Sequence, residues 1–85
     1  MARWFVYILK CGDGTLYTGT ATDVERRFRE HRMGAGAKYT RGRKPVAIVY
    51  RQQFANRSRA LRREAFIKQL DRMGKLELIR SAKGA

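Results

Sequence analysis

Tyr7 and Tyr17, Arg27 and His31, and Glu64 are the residues whose types and spacing could do chemistry in this chain. A phenol can orient or deprotonate a water molecule. Arg can grip a phosphate with its planar fork, and His can donate a proton to a leaving oxygen. A carboxylate set among apolar neighbours is costly unless it pairs with a cation or ligates one. Together they would supply a hydrolase kit: a phenol to activate water, an Arg for a phosphate, and a carboxylate for a hard metal, typically Mg²⁺ held with waters and substrate phosphate.

Each set has a plainer reading. Tyr is a good strand residue wherever it falls. Arg27 and His31, four residues apart, share a helical stripe about 60° from Val24 and Phe28. That puts them at the border of a buried face, or on a solvated basic face beside Arg26 and Arg29. On a helical wheel Glu64 lies between Ala60 and Ile67 on one side and Leu61 and Ala65 on the other. Phe66, Leu70 and Met73 form a second apolar stripe opposite. Lys68 is four residues on, so an ordinary Glu–Lys helix pair would also account for Glu64.

The elements that must position these residues follow from local pattern. Residues 4–10 are apolar at both parities and rich in aromatic and β-branched types, which predicts a strand buried on both faces. Gly12-Asp13-Gly14 is a turn signal, and residues 15–19 return as a second strand. With a three-residue loop, Cys11 faces Thr15 and Tyr7 faces Gly19. Tyr17 then lies diagonally beside Tyr7 on one sheet face, and Gly19 leaves open space over Tyr7. A helix is expected from Thr22 to about Arg32, with Thr22 and Glu25 as a capping box and Asp23 favouring the helix dipole. Residues 33–45 predict an exposed basic loop, and 46–50 a third strand. Asn56 or Ser58 caps a second helix running to about Arg72. Gly74 ends it, and a short third helix spans 75–81. The order ββαβαα predicts a small α+β fold: a three-stranded antiparallel sheet flanked by helices, one domain over residues 1–85.

Charge bounds the partner. Twenty Lys and Arg against seven Asp and Glu leave +13, a field that draws polyanions. Nucleic acid is the expected partner, because neutralising phosphates releases counterions; anionic membrane or an acidic protein could also satisfy the charge. Most of the cations are Arg, whose geometry suits phosphate oxygens. Targeting is expected from Lys38, Arg41, Arg43 and Lys44 in the loop, with Arg62, Arg63 and Lys68 on the second helix. Cys11 is alone, so the chain holds no disulfide framework and no cysteine metal site. No stretch approaches the roughly 18 apolar residues that span a bilayer, and the apolar start lacks a cleavage site, so a cytoplasmic protein is expected.

The pattern resembles the GIY-YIG nuclease superfamily, specifically its very small single-domain members. Phe5-Val6-Tyr7 stands in the GIY position and Tyr17-Thr18-Gly19 in the YIG position. Arg27 and His31 follow in Thr-Asp-Val-Glu-Arg-Arg-Phe-Arg-Glu-His, then Glu64 in Ala-Leu-Arg-Arg-Glu-Ala-Phe-Ile-Lys. The resemblance runs from residue 4 to about 80. It implies metal-dependent cleavage of a phosphodiester, in DNA rather than RNA, in a setting such as DNA repair. Tyr17 or Tyr7 would be general base or would orient the water. Arg27 would stabilise the pentacovalent transition state, His31 would assist near the leaving group or nucleophile, and Glu64 would anchor Mg²⁺ or Mn²⁺. Phe5 and Thr18 depart from the family's lettering. Larger members also carry an Asn beyond the metal Glu, whereas the one Asn here, Asn56, precedes Glu64. That departure leaves room for a catalytically weak or inactive nucleic-acid-binding module.

Overall fold

A computed structural model describes residues 3–34 and 42–83. Two antiparallel strands, β1 (Trp4–Cys11) and β2 (Leu16–Ala21), lead into helix α1 (Val24–Arg32). Strand β3 (Pro45–Phe54) and helices α2 (Arg57–Gln69) and α3 (Arg72–Lys83) follow. The sheet order is β2-β1-β3, with β1 antiparallel to both neighbours. The expected α+β architecture and element order are thus observed.

Strand β1 is central, which is why it is apolar at both parities. Val6 and Ile8 face one way and pack with Tyr50, Ala60, Ile67 and Ile79, the α2 and α3 side. Tyr7 and Leu9 face the other way and pack with Val24, flanked by Phe28 and Ile48, the α1 side. An irregularity in β3 divides that strand between the two cores. Ile8 pairs with Tyr50 but Leu9 pairs with Ile48, so one residue is skipped. Without the extra residue, Ile48 and Tyr50 would lie on one face.

The hairpin has the register expected of a three-residue turn. Tyr7 is paired with Gly19, Leu9 with Tyr17, and the Cys11 amide donates to the Thr15 carbonyl at 2.9 Å. Gly14 has φ +86°, the left-handed conformation that the turn requires.

Several boundaries differ from the sequence reading. Asp23, not Thr22, caps α1, its Oδ1 accepting from the Arg26 amide at 3.0 Å. Glu25 does not close a capping box; it pairs with Arg51 at 2.6 Å. Strand β3 runs on to Phe54 because β1 offers it partners back to Trp4. Asn56 does cap α2, accepting from the Arg59 amide at 2.9 Å.

Gly74 does not end α2. The chain breaks at Leu70, which is extended, and Asp71 starts α3 by accepting from the Gly74 amide at 2.8 Å. An Asp cap contributes about as much as a helical Gly costs, roughly 1 kcal/mol each, so the two choices balance locally. The bond from Arg72 to the distant Gly14 carbonyl breaks the tie. The glycine itself serves close packing: a Cβ on Gly74 would sit 3.2 Å from Leu70 Cβ and 3.3 Å from Asp71 Oδ1. The break also dissolves the expected Phe66, Leu70 and Met73 stripe. Phe66 is 52% exposed and Met73 is 73% exposed.

Candidate active site

Tyr7, Tyr17 and His31 form one aromatic cluster on the α1 side of the sheet. Pairing of Tyr7 with Gly19 sets Tyr17 on the diagonal, and the ring centroids lie 6.4 Å apart. The His31 ring stands 5.0 Å from that of Tyr17 and 6.2 Å from that of Tyr7. Tyr7 Oη and His31 Nε2 form a buried hydrogen bond of 3.0 Å. Both residues are 1% exposed, whereas Tyr17 is half-buried.

His31 is therefore neither at the border of a buried face nor on a solvated basic face. The turn of α1 that carries it lies flush on the sheet beside the two phenols. Gly19 likewise leaves no open space. The Tyr7 ring lies across it, and a Cβ there would be 2.5 Å from Tyr7 Oη. The glycine is needed for the close approach of the ring, not for a gap.

Burial sets the charge states. Desolvation raises the Tyr7 phenol well above its ordinary value of 10.0, and Tyr17 adds to the rise; Arg27 opposes it without overcoming it. The His31 imidazole is pushed below its ordinary 6.5, first by burial and then by the Arg27 charge. A neutral phenol thus faces a neutral imidazole at neutral pH.

The Arg27 guanidinium lies near enough to Tyr7 and His31 to oppose the rise of the phenol and to lower the imidazole. It is anchored by Glu30, Arg27 Nη1 donating to Glu30 Oε1 at 2.9 Å, while Arg26 holds the same carboxylate at 3.3 Å. Glu30 escaped the reading of the sequence. Its spacings, three residues from Arg27 and four from Arg26, are the signal that could have found it.

Glu64 stands on α2, on the far side of the sheet from α1, and its partner Lys68 lines a recess together with Tyr17. The Glu64 carboxylate acts through space on the Tyr7 phenol. The side chain is 16% exposed, beside the fully buried Ala60 and Ile67. Leu61 and Ala65, its expected apolar neighbours on the other side, are exposed. Lys68 Nζ lies 3.3 Å from Glu64 Oε2, so the ordinary helix pair is formed. Among the described residues no three His, Cys, Asp or Glu side chains cluster as a metal cage. One half-buried carboxylate opening to solvent suits a hard cation that keeps most of its waters and takes its other oxygens from substrate.

Two recesses flank the cluster. One, of about 290 Å³, lies beside Arg27 and is walled by Trp4, Thr20, Asp23 and Glu30. The other, of about 310 Å³, lies between Tyr17, Leu16, Lys68 and Lys75.

The expected nucleic-acid residues are scattered around this centre. Lys38 and Arg41 lie outside the described residues. Arg43 pairs with Asp13 at 3.1 Å, and its carbonyl and that of Lys44 accept from the Gly12 amide, docking the end of the loop on the hairpin turn. Arg62 is exposed. Arg63 stacks on Phe66, 5.1 Å from the ring centroid, with its Nε buried and without a hydrogen-bond partner among the described residues. Lys68 holds Glu64. Among the described residues no helix is long and apolar enough to cross a membrane.

Comparison with known proteins points the same way. The sequence profile of the GIY-YIG catalytic domain matches residues 3–77. A UPF0213 protein of Staphylococcus haemolyticus is 51% identical over 79 residues, covering 93% of this chain and 96% of that one. A UPF0213 protein of Staphylococcus aureus is 53% identical over 80 residues, with 94% and 98% covered. The solution NMR structure of a UPF0213 protein from Bacillus halodurans superposes with a TM-score of 0.60 at 46% identity, covering 92% of this chain and 83% of that one. That of a protein from E. faecalis superposes at 0.69 and 38% identity, with 100% and 91% covered. That profile takes in Tyr7, Tyr17, Arg27, His31 and Glu64, and the chain belongs to the GIY-YIG family, a family of nucleases that generally depend on a divalent metal.

Proposed function

We propose that this protein is a metal-dependent nuclease that hydrolyses phosphodiester bonds in DNA, with Tyr7, Tyr17, Arg27, His31 and Glu64 as its working residues. The observation that carries this reading is the convergence itself. Two strands and α1 bring two phenols and an imidazole together, Arg27 stands one turn from His31 on the same helix, and Tyr17 shares a recess with Lys68, the partner of the Glu64 carboxylate.

The roles follow from burial and charge. Arg27, braced by Glu30, meets the phosphate and stabilises the charge that builds on its oxygens as water attacks in line. Tyr17 is the phenol that can face solvent, and it orients that water. Tyr7 stays protonated and cannot serve as a phenolate near neutral pH. Its hydrogen bond to His31 forms a relay in which Tyr7 Oη takes the proton the water loses, passes its own to His31 Nε2, and the imidazolium, disfavoured by burial, returns it to solvent after the cut. A new P–O bond forms to the water oxygen, the bond to the leaving oxygen breaks, and the leaving oxygen takes a proton from solvent. Glu64 would hold the cation; Mg²⁺ or Mn²⁺ there supplies charge neutralisation and acidifies water.

Two observations favour a second reading, a binding module with weak or no catalysis. Glu64 already has Lys68 as counter-ion, and the chain's one Asn is occupied in capping α2.

The test is cleavage of end-labelled single-stranded, duplex and branched DNA, with RNA alongside, in Mg²⁺, Mn²⁺ or chelator. Wild type should cut in a metal-dependent manner. Tyr17→Phe and Glu64→Gln should each lose at least about 10²-fold, with binding retained. Cutting that survives Glu64→Gln would sink the assignment. Tight binding with no cutting in any metal would establish the second reading.

A further inference from the structure

The recess beside Tyr17 does not end there. It shares Leu16 and Lys75 with a smaller hollow of about 180 Å³ that is lined by Thr15 and Arg72 as well. The two join into one groove between strand β2 and the α2–α3 corner. β2 has a strand neighbour on one side only, and the corner lies along the groove. The cations on this path are Lys68, Arg72 and Lys75, placed there by the break at Leu70, which turns the chain so that both helices contribute. Arg72 Nη1 donates to the Gly14 carbonyl at 2.7 Å, fastening the start of α3 to the hairpin turn. The neighbouring acids are committed: Glu64 to Lys68, Asp71 to the Gly74 amide, and Glu77 to Arg80. Lys75 has no acidic partner among the described residues, and its side chain lines both hollows.

From this we infer that the groove is the track for the sugar-phosphate backbone on one side of the scissile phosphate. In it Lys75 and Arg72 contact phosphates, and Leu16 and Tyr17 offer apolar and aromatic surface to a sugar or base. The inference rests on the nuclease reading and deepens it. A cationic floor with an aromatic at one end is the combination that holds single-stranded nucleic acid without reading its sequence. The groove also gives the break at Leu70–Asp71 a function, since residues from both sides of it line the path. Lys68 stands where the track meets Glu64. Were Glu64 to hold a cation, its Lys68 partner would be available to the adjoining phosphate.

The experiment measures binding of fluorescein-labelled single-stranded and duplex oligodeoxynucleotides in chelator across a salt series. Wild type is compared with Lys75→Gln, Lys75→Glu and Lys75→Arg, and with Arg80→Gln as a charge control from outside the groove on the same helix. Loss of one phosphate contact lowers the slope of log K against log salt by about 0.7 for single strands and about 0.9 for duplex. Lys75→Gln should show that loss and Arg80→Gln should not. Lys75→Arg should restore it, and Lys75→Glu should weaken binding further. In the cleavage assay, the Lys75→Gln penalty should vanish when the substrate is shortened on one side of the cut bond and persist when it is shortened on the other. Equal slopes for Lys75→Gln and Arg80→Gln, in a protein whose cutting depends on Glu64, overturn the track and leave the nuclease standing. A slope change in a wild type that cuts nothing keeps the groove as a backbone contact and removes the nuclease.

Discussion

One added methyl group tests the packing beneath the site. In Gly19→Ala the new Cβ would lie 2.5 Å from Tyr7 Oη, 2.7 Å from Tyr7 Cζ and 3.1 Å from Tyr17 Cε2. Carbon contacts settle near 3.5–4.0 Å, so the Tyr7 ring must withdraw by about 1 Å. It has little room to do so, because it is 1% exposed and tied to His31. Overpacking a core costs about 1–3 kcal/mol, and a buried polar pair pulled apart costs about 1–3 more. The expected destabilisation is therefore about 2–6 kcal/mol, a large share of the roughly 5–10 kcal/mol that holds a chain of this size. Denaturant titration reads that loss, and the His31 ring resonances report whether its hydrogen bond has gone. A misplacement of about 1 Å near reacting atoms also costs on the order of 10² in rate, so cleavage should fall by about that factor in whatever fraction stays folded. The double variant Tyr7→Phe/Gly19→Ala should recover part of the stability, because it removes the 2.5 Å contact while leaving the one at Cζ. If Gly19→Ala is as stable as wild type and the His31 resonances do not move, the close stacking of Tyr7 on Gly19 is wrong and the relay built on it falls.

Three further outcomes are expected. Thr18 Oγ1 is buried without a hydrogen-bond partner among the described residues, so the near-isosteric Thr18→Val should stabilise by about 1 kcal/mol. That appears as a Tm rise of about 4–8 °C, and a fall would mean the hydroxyl has a partner. Because His31 is shifted below 6.5, the unfolded chain binds more protons than the folded one just under that pH. Stability present above 6.5 should thus decline as pH falls toward the lowered folded value, with Arg27 and Glu30 both acting on the ring. Carboxylates such as Glu25 and Glu30, also shifted down, act only below about their ordinary 4.5, so between these values the slope belongs to His31 and should flatten in His31→Gln. Tyr7 is raised above 10.0, so the folded state keeps its proton in alkali and stability drops as pH climbs past that point. Ultraviolet titration should find the Tyr7 tyrosinate appearing only with unfolding, and a Tyr7→Phe difference spectrum showing ordinary titration in the folded protein would contradict its burial.

The amino-acid sequence by itself determined what is local. An apolar run at both parities made β1 the central strand, since only a strand covered on both faces can bury it. The Gly12-Asp13-Gly14 turn set the register, and with it the diagonal of Tyr7 and Tyr17. Spacing brought Arg27 and His31 to one side of α1, and Asn56 to the start of α2. Period and turn geometry act over a few residues, and so they can be read from a few residues. The tertiary structure decided everything that depends on how faces meet. His31 could lie at a border or in solvent by its spacing, and the docking of α1 sank it against Tyr7. Asp71 and Gly74 offered competing helix boundaries of similar local energy, and the bond from Arg72 to the distant Gly14 carbonyl fastens α3 where Asp71 starts it. The skipped residue in β3 sent Ile48 and Tyr50 to different cores, which no alternation pattern announces. Glu64 looked toward apolar neighbours on its own helix, but the recess that its partner Lys68 shares with Tyr17 arises between elements far apart in sequence. Distances of that kind follow from packing many side chains at once, and no stretch of sequence contains them.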